Sequence, residues 1–429
     1  MSTPVSSASY RKIAPNVQPF NDFELVKPVY YYLDNRTCVW VLYSDMQPII
    51  NMQILLNAGK WHEPKQGLAP LLGKMIAEGT KQHNSQQIHE FFDSLGIFWD
   101  ISTGVDQTQM NFYAMSKHFE KLLYMVAELL TEATFPPKEL EQFKQKIIQQ
   151  IQINKQKTNQ EANLLSRECL YGNSHPYGYR LTEELVQTVQ SEDLLCFYHQ
   201  AICASPFHII LSGEISEKHL ISLNKTIGSL SICSDTQPLV VHTKNSSHPT
   251  RIVVEKENAL QTSIRVVCPL FVKKHPHQIP FGVLNEVLGG YFGSRLMKNL
   301  REKHGFTYGV HSTITFMRHE GFFSIGTDVN KEHRDAALEQ IKFEIERLCQ
   351  QLIPEEELTI VKNYMSGVYL KSVNTPIAIA DLYKNISYHQ LPDNYFDHYI
   401  SHINSVTAEE LLELSQKYLS GAFSEILVG

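Results

Sequence analysis

Near residue 300 the chain gathers residue types that can act on a carbonyl group. Arg301 and Tyr308 stand seven residues apart, behind the run Gly289-Gly290-Tyr291-Phe292-Gly293. A guanidinium and a phenol are both hydrogen-bond donors, and together they can stabilise charge building on a carbonyl oxygen. Plainer roles exist for both. An arginine near a helix C-terminus complements the helix dipole, and a tyrosine in a strand packs at a core edge. Gly305, between them, suits a helix end in the left-handed conformation that turns the chain into a strand. The glycine run is no phosphate loop, because no Lys-Ser/Thr follows it and the chain is not βαβ. Its glycines fit a flexible loop lining a cavity. Metal chemistry has no visible seat: 19 histidines and seven cysteines include no H-x-x-E-H, no H-E-x-x-H and no Cys/His cluster of ligand spacing. His62-Glu63, His83, His89, His275 and His277 are therefore taken as surface or loop residues.

The elements that must position this block follow from hydrophobic period and turn residues. A strand is predicted over Thr262–Pro269, helices near Pro280–Leu288 and over Ser294–Lys303, and a hairpin from Thr307–Thr315 with Gly321–Val329. Further helices start at about Lys331 and Pro354. The N-terminal part runs in parallel. It has strands Thr37–Tyr43 and Ile49–Leu56, a helix at about Ala69–Glu78 closed by Gly79, and a hairpin of Ile97–Thr103 with Gln107–Met115. Helices Phe119–Thr131 and Pro137 to about Lys157 follow, with Pro137 at the first turn, where its missing N–H costs nothing. Hairpins followed by runs of helices predict an α+β fold with mostly antiparallel sheets.

The parallel is a sequence repeat. Phe135-Pro136 through Lys144 aligns with Ile353-Pro354 through Lys362 at an offset of 218. Val189–Leu195 aligns with Val406–Leu412 at 217, and Ile209–Gly213 with Glu425–Gly429 at 216. Three anchors in one order define a duplicated domain: a first copy over 20–233, a polar linker over 234–250 (SDTQPLVVHTKNSSHPT) and a second copy over 251–429.

Bulk properties set the class. A length of 429 residues suits two domains. With 43% hydrophobic and 19% charged residues the chain is neither disordered nor collagen-like. A net charge of −7 argues against nucleic acid or an anionic membrane as partner. No apolar run approaches the roughly 18 residues of a membrane span. The start, MSTPVSSASYRK, is polar and unlike a secretory signal. Seven scattered cysteines without a CxxC read as reduced thiols. A cytoplasmic protein is expected.

One further block, Gly59-Lys60-Trp61-His62-Glu63-Pro64-Lys65-Gln66-Gly67-Leu68-Ala69-Pro70-Leu71-Leu72-Gly73-Lys74-Met75-Ile76-Ala77-Glu78-Gly79-Thr80, resembles the zinc-helix segment of the pitrilysin/insulinase family of metallopeptidases. That family includes the mitochondrial processing peptidase. Its active members carry H-x-x-E-H there, two histidines one turn apart for Zn²⁺ and a glutamate as general base. The flanks Gly67-Leu68-Ala69 and Glu78-Gly79-Thr80 fit. The motif does not: Pro70 and Lys74 stand at the histidine positions and Gly73 at the glutamate. Gln150 falls where the family places its third ligand, a glutamate on the downstream helix. A proline offers no donor atom, an ammonium repels a cation, and Gln150 is a neutral amide.

The block Gly289–Val310 resembles the family's C-terminal segment closely, with Ser294-Arg295-Leu296, Arg301-Glu302 and Tyr308 in step. By this resemblance, which spans about Val26 to Gly429, two duplicated domains pack around a chamber. Arg301 and Tyr308 reach toward a zinc site and hold the substrate main chain at the scissile bond. Some members divide zinc motif and Arg/Tyr pair between two proteins. The resemblance therefore implies the arginine–tyrosine subunit of a heterodimeric zinc peptidase, inactive alone. It would hold no metal itself, and a zinc-bearing paralogue would be its partner and unfolded peptides its substrates. Two other readings stand beside it: a structural or assembly scaffold, and a self-sufficient peptidase with an unconventional metal site.

Overall fold

The computed structural model describes residues 25–231, 242 and 249–429. The polar N-terminus singled out above, and most of the expected linker, lie outside the described residues. Six strands form the first sheet: β1 (Val29–Tyr32), β2 (Cys38–Tyr43), β3 (Ile49–Leu56), β4 (Phe98–Thr103), β5 (Thr108–Met115) and β6 (Phe207–Gly213). Their order is β1-β2-β6-β3-β5-β4. The second sheet holds β7 (Arg251–Val254), β8 (Gln261–Leu270), β9 (Val310–Phe316), β10 (Gly321–Asn330) and β11 (Ser424–Val428), in the order β7-β11-β8-β10-β9. Leaving out β1, the two orders are the same. Each sheet has one parallel pair, β2–β6 and β7–β11, and is otherwise antiparallel. The fold is α+β with two mixed sheets in two repeated halves.

Helices cover both sheets. In the first half α1 (Leu68–Met75), α2 (Ser85–Ser94), α3 (Phe119–Thr131) and α4 (Pro137–Gln156) are followed by α5 (Thr158–Tyr171). Their apolar stripes close one core with β3 and β5, including Leu72, Phe92, Leu122, Val126 and Phe112. Helix α1 stops at Met75, short of the expected Glu78. Helix α2 escaped the sequence reading, although Asn84 and Gln87 form a reciprocal capping box at its start.

Each half lends a helix to the other. Helix α5 packs on β8 and β11 of the second sheet, burying Ala162, Leu170 and Tyr171 against Val267, Phe322 and Ile426. Its counterpart Pro376–His389 packs on β2 and β6, burying Ile379, Ala380 and Tyr383 against Trp40, Leu42 and Ile210. The exchange is pinned twice by related pairs. Buried Gln53 of β3 donates to Asp381 at 3.1 Å, and buried Arg265 of β8 donates to Asn163 of α5 at 2.8 Å. Registers β3–β6 and β8–β11 make Gln53 and Arg265 equivalent, and the repeat offset of 218 makes Asn163 and Asp381 equivalent.

The halves also meet directly at their hairpin turns. Asp106, 1% exposed, accepts from the Tyr177 hydroxyl at 2.5 Å, from the Tyr388 hydroxyl and from the backbone N–H of Arg318 at 3.2 Å. Burial and the Asp106 charge push both phenol pKa values up. The two halves are thus bound to each other at their hairpin turns as well as through the exchanged helices.

Candidate functional site

Arg301 and Tyr308 are brought to one edge of the second sheet. Residues 294–303 do not form the regular helix that their sequence suggests, because the segment Met297–Lys303 winds in wide π-type turns. Such turns are rare and shift the facing of every side chain they carry. The winding ends at Gly305, whose φ of 66° is left-handed, as expected for a helix stop. The N–H of Gly305 donates to Arg301 O and that of Phe306 to Leu300 O. Tyr308 then falls in a turn, not on the expected strand. The Thr307 hydroxyl accepts the Gly309 N–H at 3.1 Å, and the Thr327 hydroxyl donates to the Gly309 carbonyl at 2.9 Å, which delays the strand to Val310.

The Tyr308 side chain is open to solvent and Arg301 is half-buried. Tyr308 is 93% exposed. The Arg301 guanidinium lies 4.5 Å above the ring of Phe292, itself exposed. Among the described residues, neither Arg301 nor Tyr308 uses its side chain in a hydrogen bond or ion pair. Strand β9, which Tyr308 precedes, is a free edge of its sheet.

The glycine run behind them is in part helical, since Glu286–Gly290 winds in π-type turns, and it is closely approached. A Cβ on Gly289 would lie 2.7 Å from the Ser312 backbone nitrogen, and one on Gly290 2.5 Å from the Glu286 carboxyl carbon. Glu286 sits beneath that turn, and burial raises its pKa.

At the first sheet's edge the arrangement is the reverse. Helix α1 lies against edge strand β4. Gly73 is buried there, and a Cβ on it would meet the Thr103 hydroxyl oxygen at 2.0 Å. Thr103 shares a hydroxyl hydrogen bond of 3.0 Å with Thr108, which donates to Ala58 O at 2.9 Å. The space a catalytic glutamate would need is filled. Pro70 is half-buried and Lys74 points to solvent. Gln150 is exposed on α4 and donates to Asn154, one turn along its own helix, at 2.9 Å. These four residues do not fit a zinc ion. Among the described residues, no group of three or more His, Cys, Asp or Glu could hold a metal.

Other residues weighed as ligands do structural work. Glu63 accepts the Ala69 N–H at 2.8 Å at the start of α1, and its pKa is raised by burial. His62, in the preceding turn, is held down to about 4 by burial and by Arg318. His83 contacts Glu128 at 2.9 Å, and His277 contacts Tyr418 at 2.8 Å. Sequence reasoning missed Asp106, the swapped helices and the buried Glu344. The last had a signal, since a glutamate interrupts the apolar stripe Leu338-Ile341-Ile345.

Residues 39–175 match the model of the insulinase family, peptidase family M16, and residues 188–365 match that of the peptidase M16 inactive domain. An uncharacterized zinc protease YmxG of Bacillus subtilis is 24% identical over 326 residues, covering 75% of this chain and 78% of that protein. A protein of Helicobacter pylori called non-peptidase homolog YmxG is 21% identical over 386 residues, 88% of each. The crystal structure of a peptidase M16 inactive domain from Pseudomonas fluorescens superposes with a TM-score of 0.84 at 22% identity, covering 94% of this chain and 98% of that one. No helix among the described residues is long and apolar enough to cross a membrane.

Proposed function

Because the chain belongs to the insulinase-like M16 peptidase family and carries that family's inactive domain, we propose that it is the non-zinc, substrate-binding subunit of a heterodimeric zinc metallopeptidase. Its substrates would be unfolded peptides, small enough for a chamber closed by a second, zinc-bearing paralogue, in a cytoplasmic complex. One observation carries the reading: Arg301 and Tyr308 are both present, with Tyr308 open to solvent beside a free strand edge, while the zinc positions of the same chain are filled. In this role Arg301 and Tyr308 donate hydrogen bonds to the substrate main chain, and the phenol stabilises the carbonyl oxygen as charge develops on it. The chain's own residues bind and orient, and the partner supplies the metal-activated water.

The scaffold reading expects the pair to be packed in apolar surroundings, and Tyr308 is the reverse. Mixing with a zinc-bearing paralogue tests the choice. Equimolar mixing should create peptidase activity that neither chain has alone, and failure to form any complex would sink the proposal.

A further inference from the structure

Helix α5 packs on β8 and β11, and beside it β10 and β9 leave a trough on the same face of the second sheet. Strand register fixes what lines it. Arg265, Gly326 and His311 stand in one row across β8, β10 and β9, and Val267, Ser324 and Thr313 stand in the next row of that face. Thr315, one step further along β9, and Arg167 of α5 complete a cavity of about 220 Å³. That is several times the roughly 30 Å³ share of one water. Gly326 keeps the row open at its middle, where a Cβ would lie 3.2 Å from the His311 ring and 3.3 Å from Arg265 Cδ.

The donors in this trough are unused. Arg265, 8% exposed, gives Nε to Asn163 and Nη1 to the Ile264 and Thr327 carbonyls, at 2.8 to 3.3 Å. Its Nη2 makes no hydrogen bond among the described residues and is not sealed in, so it opens on the cavity. Arg167 and the hydroxyls of Thr313, Thr315 and Ser324 also have no partner among the described residues, and all four residues are half-buried or exposed. Burial and the charge of Arg265 lower the His311 pKa, which leaves the ring neutral at pH 7 with one N–H to give. No aspartate or glutamate is among the described residues that line the cavity. Asp328 lies 3.6 Å from Arg265 Nη1, outside the lining.

The sister half shows that the fold does not require these groups. Its rows are Gln53–Asn111–Asp100 and Leu55–Gln109–Ser102. Gln53 therefore stands for Arg265 and Asp100 for His311, and the offset of 218 puts Asn385 at the place of Arg167. There the amides satisfy one another: Gln109 donates to Gln53 at 3.3 Å, Gln53 to Asn51 at 3.0 Å and Asn51 to Asn111 at 2.6 Å. One copy has closed its hydrogen bonds, and the other holds two guanidiniums and three hydroxyls without an acceptor.

Such a set suits an anion that offers several oxygens at once. The hydroxyls reach the cavity from the sheet, Arg265 from its central strand and Arg167 from the helix. A carboxylate has two oxygens in one plane and leaves donors over. A tetrahedral phosphate presents three or more and matches guanidinium forks. We propose that this trough binds a phosphate group, as the free ion or as the end of a monoester, held by Arg265, Arg167 and the hydroxyls of Thr313, Thr315 and Ser324. The site uses neither Arg301 nor Tyr308 and needs no partner subunit, so it stands or falls apart from the proposed function.

Isothermal titration of the full chain, alone, at neutral pH and low ionic strength with inorganic phosphate, methyl phosphate and acetate gives the test. Phosphate should bind with a submillimolar dissociation constant and at least tenfold more tightly than acetate. Methyl phosphate distinguishes the sources: affinity matching that of the free ion assigns the site to a monoester, and affinity at least tenfold weaker assigns it to the ion itself. Arg167→Ala, at an exposed position, should cost at least tenfold in phosphate affinity and leave the melting temperature unchanged. Arg265→Gln, which installs the sister half's residue, should abolish measurable binding. Because Arg265 also pins α5, Thr313→Val/Ser324→Ala carries the test with a tenfold expected loss should that variant fold poorly. No binding of phosphate at millimolar concentration would overturn the proposal, as would equal binding of acetate or full affinity in Arg167→Ala.

Discussion

The edges of the two sheets, built by one strand order, have been put to opposite uses. At β4 a helix lies so close that Gly73 has no room for a Cβ, and hydroxyls of Thr103 and Thr108 occupy the gap. At β9 the preceding helix is wound wide, Gly305 turns the chain, and Tyr308 stands in solvent. Loss at the first edge is more than a change of ligands, because the packing has closed around it. Retention at the second is costly to explain as packing alone, since an exposed phenol buries nothing. A duplicated fold lets the two copies of one edge diverge, one packed shut and the other left open.

The largest effect is expected where the second edge is altered. In the mixed complex Tyr308→Phe should lower turnover by about 10²–10³, the loss of roughly 2.7–4 kcal/mol that a missing oxyanion donor produces. Arg301→Ala should lower it further. Melting of the chain alone should hardly move, because the Tyr308 side chain makes no contact that folding needs, and the partner's zinc content should be unchanged. Full turnover in Tyr308→Phe would erase the contrast between the edges and favour the scaffold.

A change at the first edge should be felt as stability. Gly73→Glu places a Cβ 2.0 Å from the Thr103 hydroxyl and 3.1 Å from its Cβ, so strand or helix must shift. Overpacking of this kind costs about 1–3 kcal/mol, to be read from the denaturant midpoint. Thr103→Gly in the same chain should recover part of it, a coupling that a double-mutant cycle measures. The triple change Pro70→His/Gly73→Glu/Lys74→His should bind no stoichiometric zinc. A stable, zinc-loaded triple variant would show the first edge to be dormant and not closed.

The sequence revealed the duplication because its anchors sit where local chemistry is strict: Pro136 and Pro354 at the starts of matching helices, or Gly213 and Gly429 at strand ends. Strands β3 and β5 and helix α3 were legible from their period to within a residue. What was hidden depends on contacts between distant segments. Nothing near Thr158 or Pro376 says that the helix crosses to the other half, because an apolar stripe does not name the sheet it will cover. Asp106 lies in a hairpin turn, and only the distant Tyr177, Arg318 and Tyr388 that close on it make it a buried structural residue. The wide turns at Met297–Lys303 were invisible for another reason: helical period is too coarse to separate winding of 3.6 residues per turn from a slightly wider one. Tyr308 was misplaced onto the strand because propensity outweighed the local bond from Thr307 to Gly309.

The smallest effect sharpens the comparison most. Lys74 stands where a histidine ligand would be, yet it lies on the solvent face of α1, and among the described residues its ammonium makes no ion pair. Lys74→Ala therefore removes a charge that nothing neutralises and puts the best helix former in its place. Stability should stay within about 0.5 kcal/mol of the parent, and activity of the mixed complex within a few-fold. A larger loss has two distinguishable forms. A fall in the melting temperature would mean that the lysine stem covers apolar surface on α1. A hundredfold fall in turnover with folding intact, about 2.7 kcal/mol of barrier, would place this face of α1 against the substrate or the partner's site. The first edge would then have changed its role, from metal binding to contact, instead of having lost one.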